Sequence, residues 1–560
     1  MNASPANQSS STAMNQVGCT KRLSRWLLAM AIGGLALSPL ATWAAAALMD
    51  QADATRLLEQ ATFGPTAALV AHVQAVGAQA WLNEQFAEPV SQYPVLPYAP
   101  TGPTTFCATN PNPNCLRDNY SMFLVQNAFF KNALTGPDQL RQRVAFALSQ
   151  IFVTSGVEAN FAYGMAQYQQ ILLDNAFGKY QDLLTQVTLS SVMGDYLNMV
   201  NNNKPNGTAS PNENYAREVM QLFSIGLWEL NADGTQLLDT QGAPIPTYSQ
   251  DTVAAFATLF TGWTYPLLPG TKQQNHNPKN FLGDMVAVSA EHDFDAKTLL
   301  DDSVDTAGKP MASDLAFAMQ NISQHPNVGP FIGKQLIQKL VTGNPSPQYV
   351  ARVSAIFDND GTGVRGHLKA VINAILTDPE ARGDVNTDPS YGKLREPVLF
   401  LTGAARALGT TSDGVYFTQQ ANNLGQDVFD AASVFNFYPP TYVVPGTTVL
   451  GPEFAIQNAS TSINRYNFAN TFAFGTIPPL STLPGATGTQ PNWATLQSLA
   501  ANPTNLVGEL NSMLLHGTMP SAMQSTLLSA IAQIPATDPL TRAKTAFYLT
   551  VTSPQYQVER

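Results

Sequence analysis

Residues 137–152 read PDQLRQRVAFALSQIF. Leu140, Val144, Ala147, Leu148 and Ile151 follow one another at spacings of 4, 3, 1 and 3, one stripe of an α-helix, and Pro137 suits a first helical turn. The same periodicity recurs outward from this stretch, at about 53–60, 65–86, 117–134, 165–200, 211–225, 249–262, 311–322, 327–341, 347–357, 366–377 and 394–408. After about 410 it weakens, with helices expected near 416–434, 455–471, 491–516, 519–533 and 538–551. Strand signals are few. WELNADGTQLLDTQGAPIPTY at 228–248 reads as a small β-hairpin with turns at Asp233-Gly234 and Gly242, and MVAVS at 285–289 is a second candidate. The expected fold is mainly α, a large multi-helix globular protein with one small hairpin.

Composition supports a packed chain. The 560 residues are 44 % hydrophobic and only 12 % charged, with 28 Lys+Arg against 39 Asp+Glu. Disordered chains combine few apolar residues with many charges, the reverse of this balance. The acidic excess argues against nucleic acid as a partner, because that recognition runs on Lys and Arg neutralising phosphates.

The first 46 residues have the pattern of a cleavable export signal. Lys21, Arg22 and Arg25 precede WLLAMAIGGLALSPLATWAAAA, which small residues close near Ala44 to Ala46, so the mature chain is expected to begin near Ala45 to Ala47. Gly33, Gly34, Ser38 and Pro39 interrupt the apolar run, against a spanning helix of about 20 residues. No Arg-Arg pair precedes it, which favours a general secretory route to the periplasm or medium, and no later stretch is apolar enough to span a membrane after cleavage. Two regions then follow, 47–410 and 411–560, the second carrying Pro/Gly-rich loops at 438–454 and 475–492 and read as part of the same unit. Those loops either line a site or simply connect helices. Cys19 leaves with the signal. Cys107 and Cys115 flank ATNPNPN and are expected to form a disulfide in an oxidising compartment, since two thiolates without a nearby His supply only half a zinc shell.

Familiar catalytic signatures are missing: G-x-S-x-G, H-E-x-x-H and the phosphate-binding G-x-x-x-x-G-K-[ST] do not occur. Gly361, Gly363 and Gly366 satisfy G-x-G-x-x-G, but helical spacing precedes them where a dinucleotide site needs a strand, so they read as a link between two helices. Asp358 and Asp360 start like a calcium loop, yet Lys369 stands where the bidentate Glu belongs.

Two segments concentrate charge. In SPNENYAREVMQLFSIGLWEL, 210–230, Tyr215, Val219, Leu222, Phe223 and Gly226 form one stripe, with Glu213 and Arg217 opposite. Ser210, Pro211 and Glu213 read as a capping box and Glu213 with Arg217 as an i,i+4 pair, which leaves Asn214 and Glu218 as candidate functional groups. In EHDFDAKTLLD, 291–301, His292 beside Asp293 suits a general base or metal ligand, and Lys297 follows. The plainer reading is a turn capping a helix through Asp293 or Asp295. Candidate catalytic residues are therefore Glu213, Arg217, Glu218, His292, Asp293 and Lys297, and Asn214, Arg217 and Glu218 are expected to meet His292, Asp293 and Lys297 in the folded protein because opposite charges make burial tolerable. No cofactor or metal is specified. His72, His276, His325, His367 and His516 are scattered without ligand spacing and read as structural.

At these residues the chain resembles the bacterial family called domain of unknown function 1800. LLEQATFGPT, LRQRVAFALSQIFV, PNENYAREVMQLFSIGLWELNADGT, TLFTGWTY, EHDFDAK, HPNVGPFIGKQLIQKLVTGNPSP, YVARVSAIF, GKLREPVLFLTGAARALG and SVFNFYPPTY carry the resemblance, which covers nearly the whole mature chain. It implies an exported, mainly helical protein without an assigned activity. It also implies a neighbour, since such proteins are often encoded beside a second exported family of unknown function, numbered 1501, whose members look like sulfatase or phosphatase relatives. Two functions stay open: a binding or assembly partner of a co-exported protein, which is favoured, and a hydrolase-like or lyase-like enzyme on an extracytoplasmic polymer such as polysaccharide.

Overall fold

Helix Gln139–Ser149 is buried on every side, Arg141 and Arg143 included. A helix without a wet face belongs at the centre of a large core. Helices Gln51–Ala61, Ala78–Ala87, Phe123–Thr135, Ala162–Asp174 and Val328–Leu340 all pack around it. The computed structural model describes residues 49–560 apart from 208, 383–387 and 389; the expected export signal, 1–46, lies outside them.

The architecture is mainly α. Among the described residues, the strands form only four two-stranded antiparallel sheets. One pairs Trp263–Thr264 with Val286–Ala287, within the expected MVAVS strand. Another pairs Lys393–Leu394 with Val558–Glu559, tying the last residues into the middle of the sequence. A second wholly buried helix, Pro397–Ala407, packs against Phe123–Thr135, Val415–Asn423 and Pro503–Leu515. The described residues cluster as one unit, and one apolar core runs through it from Ala54 to Tyr556.

Rings join the two sequence halves. Phe129 meets Phe63, Phe146 and Phe429 at centroid distances of 5.5, 5.2 and 5.5 Å. Such pairs each contribute about 0.5–1.5 kcal/mol beyond the area they bury. Gly64 makes another junction possible. A β-carbon there would lie 2.6 Å from the Cα of Gly403, so only two glycines let the start of the chain cross helix Pro397–Ala407 this closely. Cys107 and Cys115 are joined as a disulfide, with Cα atoms 5.5 Å apart.

The expected hairpin at 228–248 is a three-segment module. Leu237 N donates to Glu229 O, Ile245 N to Leu237 O and Glu229 N to Ile245 O, closing a ring of backbone hydrogen bonds. Asn327, fully buried, anchors its base by donating to Ile225 O and Trp228 O and accepting from Leu230 N.

Candidate functional site

The first charged segment departs from its expected capping. The helix runs Asn214–Gln221, its N-cap is Glu213, and no side chain caps it. Neither the Ser210–Glu213 box nor Pro211 at the first helical position forms, because Asn212 folds back locally: its Oδ1 accepts from Asn214 N, and its own N donates to Asn202. The expected pair does form, with Arg217 Nη2 2.9 Å from Glu213 Oε2, and Gln250 bonds both partners. These groups are half-exposed at the surface. Glu218 is half-buried; its Oε2 has no partner among the described residues, and burial raises its carboxyl above the ordinary range.

In the second segment His292 and Lys297 are buried, while Phe294, Asp295 and Ala296 between them are exposed. His292 is buried, its Nδ1 2.8 Å from Thr261 O and its Nε2 3.0 Å from Asp314 Oδ2. Both ring nitrogens are engaged, and the carboxylate beside it is Asp314 rather than Asp293. A β-carbon on Gly262 would lie 2.8 Å from that of His292, so the two backbones pass closely here. Lys297 is buried too, its Nζ donating to Asp293 O and Asp295 O and lying 2.9 Å from Asp293 Oδ1. Burial would raise the Asp293 carboxyl, but the Lys297 ammonium and the Asp295 N–H hold it below its usual value. No helix follows for Asp293 or Asp295 to cap; Lys297–Thr298 is a strand paired with Val304–Asp305.

A cavity of about 570 Å³ opens beside this segment, lined by Asp251, Asp293, Asp295, Lys297 and Asp302. Among the described residues, no three His, Cys, Asp or Glu side chains are grouped to hold a metal ion. The two charged segments share no hydrogen bond or ion pair among the described residues. Each instead packs on helix Gln250–Leu259, the first through helix Asn214–Gln221 and the second through strand Lys297–Thr298.

The larger concentration of charge lies in the interior, where the sequence reading placed none. Glu396, fully buried, accepts from Gln150 at 3.1 Å, Gln426 at 2.6 Å and Tyr438 at 2.7 Å, all on Oε2. Burial would raise its carboxyl, but Lys393, Arg143 and Lys339 hold it below the ordinary range. Arg143 donates to Lys339 O, as does Lys393 at 2.6 Å. The Lys339 ammonium sits 4.2 Å from the Tyr438 ring centroid, and burial pulls it down to about 8. Glu453 completes the cluster 4.0 Å from Lys393, raised by burial. Tyr438 and Glu453 bracket the first Pro/Gly-rich loop, so both ends of that loop reach the interior.

A second buried cluster adjoins the first through the chain. Glu59 accepts from Arg395 at 2.8 Å and faces His516 Nδ1 at 3.0 Å. Arg465 Nη2 donates to Arg395 O at 2.8 Å, and the Arg395 guanidinium stacks 4.6 Å from the Tyr556 ring centroid. Most of these residues lie in the stretches that carry the family resemblance: Glu59 in LLEQATFG, Arg143 and Gln150 in LRQRVAFALSQIF, Lys339 in QLIQKL, and Lys393, Arg395 and Glu396 in GKLREP. Each of these charges stands beside an apolar stripe, where sequence alone reads it as a solvent-facing group.

The module at 227–247 shows the opposite pattern. Leu227, Trp228, Leu237 and Leu238 are 47, 38, 41 and 52 % exposed. Its acidic groups Glu229, Asp233 and Asp239 lie among them, and His325 Nε2 approaches Glu229 Oε1 to 3.6 Å from below. Neither curated proteins nor solved structures give a match to the chain. A family model does match, over residues 56–558, and by this extent the chain belongs to the family described as protein of unknown function (DUF1800).

Proposed function

We propose that the protein is a binding or assembly partner of a second exported protein, and that the module at 227–247 is its contact surface. The observation that carries this reading is that one hydrogen-bonded module exposes four large apolar side chains, Leu227, Trp228, Leu237 and Leu238. Large exposed apolar side chains on a hydrogen-bonded support suit an interaction site, and Trp is prominent among residues that dominate binding energy. Asn327 holds the module from beneath, so little ordering entropy opposes docking. Export is part of the reading, supported by the basic and apolar N-terminal pattern and by the Cys107–Cys115 disulfide.

The partner proposed is the neighbouring protein of the family numbered 1501. The test is co-expression of the two full-length chains and affinity purification from the exported fraction, where this chain begins near Ala45 to Ala47. Trp228→Ala with Leu238→Asp should weaken recovery of the neighbour by about tenfold or more, since a buried aromatic anchor contributes roughly 2 kcal/mol. Circular dichroism should be unchanged because these side chains support no core. Undiminished recovery with the double variant, or no association of the wild-type chains, overturns the proposal.

A further inference from the structure

We propose that the cavity bounded by Arg395, His516 and Arg560 binds a small ligand through an oxyanion group, a carboxylate or phosphate. The cavity measures about 470 Å³, enough for a small molecule, and Gln555, Thr518 and Leu514 also line it. This inference is independent of the partner surface at 227–247.

Three observations converge on it. The first is the ring of His516, which lines the cavity while 4 % exposed. Its Nδ1 is held 3.0 Å from Glu59, and its Nε2 has no hydrogen-bond partner among the described residues. A buried polar atom without a partner is costly, and a ligand is one way of satisfying it. With Glu59 on one ring nitrogen, the other is the ring's polar atom left for a ligand.

The second observation is the backbone. His516 sits at φ 37° and ψ 41°, the left-handed region, at the C-cap of helix Pro503–Leu515. Asn or Gly would occupy that position with less strain, and strained residues of this kind gather at ligand sites. The third is local charge. The chain as a whole carries a formal net charge of −11, yet this cavity is lined by two arginines and a histidine and by no acidic side chain. Arg560 is exposed and makes no hydrogen bond or ion pair with any described residue, so its guanidinium is free for a bidentate contact with an oxyanion. Arg395 is committed to Glu59 and positions the carboxylate that orients His516.

The test is calorimetric titration of the mature full chain with inorganic phosphate and, separately, with citrate, together with the ¹⁵N ring resonances of His516. One probe should bind with a single saturable site and shift those resonances; which one does so separates a phosphorylated from a carboxylated ligand. Arg560→Ala should weaken binding by about fivefold or more, as loss of one charge-assisted contact does. His516→Asn, which tolerates the left-handed backbone, should abolish it. Absence of saturable heat and of ring shifts with both probes overturns the proposal, as does wild-type affinity in Arg560→Ala. If His516→Asn does not fold, Arg560→Ala and the wild-type resonances decide.

Discussion

The pair Glu213–Arg217 and the cluster around Glu396 use the same kinds of side chain to opposite ends. Glu213 and Arg217 lie half-exposed at the surface with Gln250 between them, and Glu396 is sealed among Gln150, Gln426 and Tyr438 with Lys393, Arg143 and Lys339 nearby. Exposed pairs gain little, because water screens them and two long side chains lose freedom. Buried charges behave differently: their net worth is small, but removing one partner leaves the others desolvated and unmatched. In a chain with only 12 % charged residues, a charge inside a helical core therefore says more about what must assemble than a charge on its surface. The cluster draws on helices Gln139–Ser149 and Val328–Leu340 and on the turn before Pro397–Ala407, three elements far apart in sequence.

The sharpest way to break the comparison is Glu396→Leu. It strands three cationic groups and the polar ends of Gln150, Gln426 and Tyr438, and should cost about 3–5 kcal/mol, read as a lowered denaturant midpoint. A loss below about 1 kcal/mol, the value of an exposed pair, would erase the distinction between the two regions.

A half-buried acid without a cation sharpens the comparison from the other side. Asp430 lies near Asp427, with the Gln126 amide donating to Asp427 Oδ1 at 2.8 Å and more distantly to Asp430 Oδ2 at 3.4 Å. Burial, then Asp427, pushes the Asp430 carboxyl up to about 7. Its unfolded value is near 3.8, so between these two values the folded chain holds a proton that the unfolded chain has released. Stability from this group is therefore fully present below about pH 4, falls as pH rises, and levels off above about pH 7. Asp430→Asn should match wild type at pH 4 and exceed it at pH 8 by up to about 4 kcal/mol, at 1.36 kcal/mol per unit. A constant difference across that range would mean that the carboxyl titrates normally.

The helices were legible because periodicity is local. Segments 311–322, 347–357 and 538–551 differ by at most two residues at either end from helices Met311–Gln324, Pro347–Asp358 and Pro539–Val551. The expected link at 361–366 does join helices Pro347–Asp358 and Leu368–Thr377. Long expectations fragmented where capping interrupts the pattern: 65–86 divides at Gly77, and 491–516 divides where Asn502 caps a helix opening on Pro503. The interior clusters were not legible, because Glu59 and His516 are 457 positions apart and Arg143 and Lys339 are 196. Arg141 and Arg143 beside an apolar stripe look like a wet face until the neighbouring helices are in place. The paired charges at 213 and 217 stood out because their partners are four residues apart, and that closeness also made them a weak guide to chemistry.

Glu213→Gln tests that last point and carries the smallest effect. The variant keeps one of the two acceptor oxygens that Gln250 uses and removes the charge facing Arg217. Exposed i,i+4 pairs contribute about 0.3–0.5 kcal/mol, part of which the amide retains, so the loss should stay under about 0.5 kcal/mol and shrink further in 1 M salt. Negative charge near a helix N-terminus adds a comparable small term, since Glu213 is the N-cap of Asn214–Gln221 and has no side-chain capping bond to lose. A loss above about 2 kcal/mol, persisting in salt, would place Glu213 with the interior charges, because only a desolvated carboxylate has that much to lose.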